Sequence, residues 1–523
     1  MGKYLKKFDT HSEYQTYITG SDKVLPNVSY CEDNNEVHYN PWTWAEEYLT
    51  FVALEEGTFT FTPQNNNVIS YSINNGETWT TGNSVNVTIG DKVLWKGEMT
   101  LNNNGMGNFS ATGNFNVQGN TMSLLYGDNY KGQTDLTEKN YAFSRLFYQN
   151  TKIVNAQNLI LPATTLVECC YTSMFSGCTG LTTAPALPAT TLADYCYTNM
   201  FNNCSSLVIA PELPATILTN SCYYSMFKNC TLLTTAPELS ATTLANECYN
   251  GMFSSCTALV NAPELPATTL TSSCYNGMFS GCTSLTTAPT LPATTLAPSC
   301  YGSMFAVCTS LTTAPTLPAT TLADYCYSGM FNNCTSLTTA PELPATTLTE
   351  FCYTSMFAVC TSLTTAPTLP ATTIESNCYQ YMFAGCTSLT TAPTLPATTI
   401  ESSCYNNMFS GCTSLTTAPA LPATTLASHC YSGMFEGCTS LVNAPELPAT
   451  TLGSGCYNLM FKNCTNLNYI KAMFTTTPST TYTQNWVQNV SATGTFVKNS
   501  AAQWNVSGVN GIPSGWTVQT ASE

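Results

Sequence analysis

The sequence predicts an α+β repeat protein: a solenoid of 26-residue units, each a short helix plus extended segments, preceded by a small antiparallel β-sandwich and closed by a C-terminal cap. Three observations carry this. The phrase Cys170-Tyr171-x-x-Met174-Phe175-x-x-Cys178 occurs twelve times at an unvarying interval of 26 residues, ending with Cys456-Tyr457-x-x-Met460-Phe461-x-x-Cys464. A second phrase, Leu-Thr-Thr-Ala-Pro-x-Leu-Pro-Ala-Thr-Thr-Leu, fills the interval, as at 181–192. Upstream of the array, apolar and polar residues alternate with the period of two that marks half-buried strands. A fixed period of this size means one supersecondary unit stacked on the next, because no unit buries its apolar face alone.

Taken in order, residues 1–45 mix Tyr, Lys and Asp with polar turns and show no sustained period, which fits an attachment segment. Residues 46–135 hold the alternating runs Thr58–Thr62, Ser84–Ile89 and Phe115–Val117, and Asn75-Gly76 has the chemistry of a tight hairpin because both residues tolerate positive φ. These form the expected sandwich, with Trp79 and Trp95 as core residues. The array occupies 136–470 and opens with a degenerate copy in which Asn150 stands in a cysteine column. Either residue can lie inside the coil and offer a donor to free carbonyls. After Cys464 the period stops, and 471–523, with Trp486, Trp504 and Trp516, form a cap over the apolar end of the stack.

Within a repeat, Cys170, Tyr171, Met174, Phe175 and Cys178 fall on one helical stripe and imply about two turns of helix. Two prolines three residues apart, Pro185 and Pro188, forbid its continuation and impose extended backbone. Ser240 replaces the second proline once, and Ile374 and Ile400 replace the last leucine.

Charged residues make up only 8% of the chain, and the net charge is −16. Between Ile153 and Met460 a single basic residue, Lys228, faces thirteen acidic ones, so the array lacks the cations that nucleic-acid binding requires. Of 26 cysteines, 24 occupy the two repeat columns and read as stacked, buried free thiols, with disulfides as the alternative. A seven-residue gap is not a zinc spacing, and only His11, His38 and His429 could assist, so no metal is expected. No apolar run reaches the roughly 20 residues of a membrane span, and the basic N-terminus precedes no secretory signal.

The core Phe-x-x-Cys-Thr-x-Leu, followed by a proline-ended strand, resembles the BspA-like leucine-rich repeat of bacterial surface proteins over about 320 residues. The opening Tyr-Leu-Lys-Lys-Phe-Asp-Thr, the stretch Leu25–Tyr30 and Asn75-Gly76-Glu77-Thr78-Trp79 are similar to proteins of phages of gut Bacteroides-type bacteria. That resemblance implies a virion-associated tail fibre or receptor-binding component: assembled in the host cytoplasm, joined to other virion proteins through its N-terminal segment, and acting outside the cell on a surface glycan or protein. It supplies no catalytic residue.

No nucleophile elbow, metalloprotease helix or phosphate loop is present, and Glu46-Glu47 and Glu55-Glu56 are adjacent on strands and therefore face opposite sides. The chain is expected to have no catalytic activity and no cofactor. A bacterial surface adhesin and a solenoid polysaccharide depolymerase are the alternatives. A homo-oligomer is possible, although no heptads declare one. No ligand-binding residue is singled out, but variation concentrates between Tyr and Met (Thr172-Ser173, Asn250-Gly251, Gln380-Tyr381), between Phe and Cys (Ser176-Gly177, Ala306-Val307, Glu436-Gly437) and before the first cysteine. That variation reads either as drift of solvated positions or as a display surface. A glutamate column, Glu212, Glu238, Glu264, Glu342 and Glu446, reads as solvated.

Overall fold

A computed structural model of the chain describes residues 47–103 and 105–521, together with the backbone of three strands before them. Those strands, β1 (Lys6–Phe8), β2 (Val28–Cys31) and β3 (Glu36–Tyr39), form one sheet in which β2 pairs parallel with β1 and antiparallel with β3. The rest of the expected attachment segment, with His11 and Glu46, lies outside the described residues. The chain divides into two compact units, Met1–Thr191 with Pro211–Pro214, and Leu192–Ala210 with Ala215–Glu523.

In the first unit the alternating runs become strands: β4 (Leu49–Ala53), β5 (Gly57–Pro63), β6 (Ile69–Ser72), β7 (Thr80–Thr81), β8 (Ser84–Val87), β9 (Lys92–Gly97), β10 (Gly107–Ala111) and β11 (Phe115–Asn120). They form a sheet β10-β5-β8 and a larger one in which β11, β4, β9, β6 and β7 follow one another, all antiparallel. The inward-facing aromatics of the two sheets interlock: Phe51 lies 5.4 Å from Phe59 and 4.8 Å from Phe109, and Trp95 lies 5.1 Å from Phe109. Asn75 and Gly76 adopt φ of 56° and 88° as their chemistry requires, within a loop longer than a two-residue hairpin, since β7 begins only at Thr80. Trp95 is fully buried, but the expectation for Trp79 is overturned. Its ring is half-buried, with Lys96 Nζ 4.1 Å above it and Tyr48 edge-on at 4.8 Å. Lys96 in turn pairs with Asp128 at 2.7 Å, so Trp79 serves as a platform for a paired cation.

Strand β12 (Ile153–Ile160), from the degenerate repeat, pairs parallel with β11, and its Asn155 bridges Thr183 of the first full repeat. One strand thus completes the sandwich sheet and starts the repeat ladder. Asn150 lies buried where later copies carry cysteine, and its Nδ2 donates to the Phe109 carbonyl of β10 at 3.0 Å.

The two turns of helix expected in each repeat are absent. Across Tyr195–Cys204 the backbone N–H groups alternate between two partners. Cys196, Thr198, Met200, Asn202 and Cys204 each donate to the carbonyl three residues back at 3.0–3.2 Å, which closes overlapping turns. Tyr195, Tyr197, Asn199, Phe201 and Asn203 instead donate to carbonyls 25 residues ahead, in the next repeat, at 2.8–3.0 Å. An α-helix would spend every N–H inside the segment, on the carbonyl four residues back. Here half of them join neighbouring repeats, and the geometry demands a left-handed residue at every fourth position: Tyr195, Asn199 and Asn203 have φ of 60°, 55° and 61°. The same three columns have positive φ in all twelve repeats.

The proline-bearing stretch is extended but forms no regular strand. Isolated parallel bridges join the second threonine of many Thr-Thr pairs to its counterpart, as in Thr339↔Thr365 and Thr347↔Thr373. Proline has no N–H to give a ladder, so continuous strands appear only where the prolines are missing, in β12 and β13 (Tyr469–Ala472).

Inside the second unit the repeated side chains form columns. Tyrosine and phenylalanine rings of successive repeats stack at 5.6–6.1 Å with interplanar angles of 3–13°. Met, both Cys and the flanking Leu are buried beside them, and each large side chain contributes about 1.5–3 kcal/mol. The second cysteine of each repeat donates its thiol to the phenylalanine carbonyl of the preceding repeat, at 3.1 Å from Cys256 to Phe227 and 3.0 Å from Cys386 to Phe357. The cysteines from Cys169 to Cys464 are buried thiols that form no disulfide.

The backbone period does not stop at Cys464. Tyr457, Leu459, Phe461 and Asn463 donate to carbonyls of Tyr482, Gln484, Trp486 and Gln488, and Asn485 and Asn489 repeat the positive φ. Trp486 therefore stands in the methionine column of an additional coil. Strands β13, β14 (Thr495–Lys498) and β15 (Thr517–Thr520) close the end as a parallel sheet.

Candidate binding surface

Two outward faces of the second unit carry the positions that vary. The first follows the extended stretches. Adjacent repeats leave open clefts between their proline pairs, one of about 380 Å³ between Pro419 and Pro445 and one of about 260 Å³ between Pro315 and Pro341. The glutamate column runs along this face. Glu264 accepts from Thr290 Oγ1 at 3.0 Å, Glu342 from Thr368 Oγ1 at 3.2 Å, and Glu446 pairs with Lys471 at 3.0 Å. These exposed carboxylates are tied to the following repeat, a role beyond the solvation expected of them. Otherwise the face presents Thr, Ala and Pro, with exposed Val or Ile replacing threonine at Val208, Ile209, Ile217, Val260 and Val442.

The second face is formed by the turns. Its three left-handed columns coincide with the position before the first cysteine, the second residue between Tyr and Met, and the residue before the second cysteine. Backbone geometry therefore limits the variation there. Gly, Asn or Ser occupies ten of twelve copies in the second column and ten of twelve in the third, the residue types that accept this conformation at least cost. Of the positions noted in the sequence, Ser173, Ser176 and Gly251 are buried, and Tyr381 and Val307 are exposed.

Several bulky residues in the three columns lie close together in sequence. In the sixth to ninth repeats, Val307, Tyr325, Phe351, Val359 and Tyr381 all hold positive φ with large side chains. Tyr325 is 44% exposed and Tyr381 40%, and the rings of Tyr325 and Phe351 stack at 4.6 Å and 6°. Elsewhere on the face Tyr195, Glu247, His429 and Leu459 also hold positive φ with large side chains. Sequence reading named Tyr381 and Val307 among the variable pairs but passed over Tyr325 and Phe351 as individual residues. The signal was available: two aromatics in successive copies of a column in which six of twelve residues are Ser, Asn or Gly.

No acid or base pair suited to catalysis assembles among the named residues. Glu55 is held by Asn114, whose backbone N–H and Nδ2 donate to it at 3.0 and 2.9 Å, and burial raises the pKa of Glu47. Among the described residues no three side chains of metal-binding type come together, and no helix is long and apolar enough to cross a membrane. Burial pushes the thiols up, to about 12 for Cys222, Cys282 and Cys412, which keeps them protonated and unreactive at neutral pH.

Stacked repeats with constant cores and two patterned outer faces define a repeat protein. The BspA type leucine rich repeat region, a family described in six copies, matches residues 139–259, 246–390 and 331–486, and the chain belongs to that family. No curated protein and no solved structure matches the chain.

Proposed function

We propose that this protein is a non-enzymatic binding protein whose repeats form a solenoid that presents its turn face to a bacterial cell surface. The observation that carries this reading is the cluster of bulky, left-handed residues at Val307, Tyr325, Val359 and Tyr381, all exposed, with the half-buried Phe351 among them. An exposed ring held in a disfavoured conformation costs about 1–2 kcal/mol, and folding alone offers no return on it, since Gly, Asn or Ser serves in the same columns. Membership of the BspA-type family supports surface binding in general. The N-terminal resemblance supports a virion-borne form, a tail fibre or receptor-binding component joined to other virion proteins through residues 1–45. A cell-anchored adhesin is the form the family supports.

The test is binding of the purified full chain to intact Bacteroides-type cells, alongside mass spectrometry of purified virions. Saturable binding is expected, with the chain present in the particles and lost from them when residues 1–45 are deleted. Absence of cell binding would overturn the reading. Cell binding by a chain absent from virions would leave the adhesin form.

A further inference from the structure

We infer that Val208, Ile209, Ile217, Leu232 and Val260, with two glutamates beside them, form a docking surface on the extended face for a polypeptide segment that carries apolar and basic side chains. This surface is distinct from the turn face, so it and the cell-surface reading above stand or fall separately. The first observation is where the repeat pattern breaks. From the fifth repeat to the tenth the exposed positions of this face are filled alike, by Thr286-Thr287 and Thr294-Thr295 and their counterparts, with serine at Ser284 and its counterparts. In the second to fourth repeats Val208, Ile209, Ile217 and Val260 replace threonine and Leu232 replaces serine, with exposures of 40, 67, 63, 42 and 52%. Valine and isoleucine keep the β-branched shape that suits extended backbone but lose the hydroxyl, and leucine keeps neither. The exchanges therefore add exposed apolar surface that stacking does not require, since sister repeats stack without it, and exposed apolar surface gathered in one place marks an interaction site.

The second observation is register. Thr234 donates its backbone N–H to the Val208 carbonyl at 3.2 Å, Ile209 bridges Thr235, and Ile217 bridges Thr243. Thr231 and Thr257 donate from Oγ1 to the Ser205 and Thr231 carbonyls, each at 3.3 Å. These links hold the three repeats in step at about 4.8 Å apiece, so Leu232 stands one repeat from both Val208 and Val260. The third observation is charge. Glu238 and Glu264 lie exposed on the same face, and Glu264 keeps its charge while accepting from Thr290 Oγ1 at 3.0 Å. Lys228, the single basic residue between Ile153 and Met460, belongs to the turns. A second copy of this chain, at net −16, or an anionic membrane would be repelled, and a purely apolar partner would leave the carboxylates unpaired. Apolar side chains flanked by Lys or Arg meet both parts of the surface. The eleventh repeat gives the contrast: Val442 is 41% exposed, but Glu446 beside it is already paired with Lys471 at 3.0 Å.

The experiment is fluorescence anisotropy of short labelled peptides titrated with the full chain: one alternating leucine and lysine, one alternating leucine and glutamate, one alternating serine and lysine. The wild type is compared with the Ile209→Thr/Ile217→Thr/Leu232→Ser triple variant and with Glu238→Thr/Glu264→Thr. Two controls are Val442→Thr and Glu375→Ala/Glu401→Ala, the second of which removes the same charge from the stretch before the first cysteine. Every introduced residue is one that sister repeats carry at the same place, so unchanged melting curves are expected. Saturable binding of the leucine-lysine peptide is expected, at least tenfold weaker in the triple variant and in Glu238→Thr/Glu264→Thr, and unchanged in both controls. The other two peptides are expected to bind the wild type at least tenfold more weakly. No binding of the leucine-lysine peptide, equal binding by the triple variant, or an equal loss in Glu375→Ala/Glu401→Ala would each overturn the inference. Self-association of the wild type in sedimentation that the triple variant loses would also overturn it, by assigning the surface to a second copy.

Discussion

Val359 shows how one residue in this array balances two demands. It occupies the third left-handed column at φ 61° and is 42% exposed, while the same column holds Gly177, Gly281, Gly385, Gly411 and Gly437 in other repeats. A β-branched residue there pays about 1–2 kcal/mol that glycine does not, and glycine loses about 0.5–1 kcal/mol through the freer unfolded chain. Val359→Gly is therefore expected to raise stability by about 0.5–1 kcal/mol, read as an increase in denaturant midpoint at constant slope. A decrease would show that its exposed methyls pack on something more valuable than the conformation costs.

The thiols make the second prediction at this scale. Cys222, Cys282 and Cys412 have folded pKa values pushed up to about 12 by burial, above the ordinary thiol value near 9. Their contribution is fully present below pH 9 and is lost as pH rises from 9 toward 12, because over that window the unfolded chain releases protons that the folded chain keeps. Each such thiol removes about 1.4 kcal/mol per pH unit. Melting temperature is expected to be nearly flat from pH 6 to 8.5 and to fall steeply above 9. A thiol reagent at pH 7.5 should label few groups until the protein is denatured, and 26 afterwards. Few reactive thiols after denaturation without reductant would show disulfides.

At the scale of the element, the turn spiral was the part the sequence concealed. Apolar residues at i, i+1, i+4, i+5 and i+8 fit a helical stripe, and they also fit a spiral of overlapping turns, since both place every fourth residue on one side. What distinguishes them is the residue between the apolar pairs. Ser173, Gly177, Asn199 and Asn203 are poor helix residues and good left-handed ones, and a column of Gly, Asn and Ser every fourth position was the legible sign. The extended stretch was read more fully, because two prolines leave little choice of backbone. Asn150 was read correctly as a cysteine surrogate: it gives a donor to the Phe109 carbonyl as Cys178 gives its thiol to the Phe147 carbonyl at 3.0 Å.

The closing element carries its own prediction. Trp486 is fully buried, donates from Nε1 to the Gly511 carbonyl at 2.9 Å, and lies within 6.2 Å of the rings of Tyr457, Phe461 and Phe496. Trp486→Ala is expected to cost about 3–5 kcal/mol and to expose the end of the stack, seen as self-association in sedimentation that the wild type lacks. A monomeric variant of wild-type stability would remove the capping role from Trp486.

Over the whole molecule, energy is added repeat by repeat, since each repeat of the second unit hydrogen-bonds and stacks on its neighbours. Deleting residues 300–325, one full period, is expected to leave a cooperatively folding protein with a melting temperature within a few degrees of the parent. Deleting 13 residues from the same place should destroy cooperativity, because every column beyond the cut would lose register. Equal damage from both deletions would show that the array does not behave as independent periods.

The constant interval, the proline pair and the cysteine register were enough to establish a stacked array with a buried thiol core, a β-rich domain before it and a closing segment after it. Those inferences rest on periodicity and burial, which survive in one dimension. Three features needed the folded chain. Half of the turn N–H groups go to the next repeat, so the local segment is a spiral and not a helix. Strand β12 belongs at once to the sandwich sheet and to the repeat ladder. Tyr325 and Phe351, 26 residues apart in the chain, stack face to face. Each depends on a partner a full period or more away in sequence, and a one-dimensional pattern records which residues recur but not which of them meet.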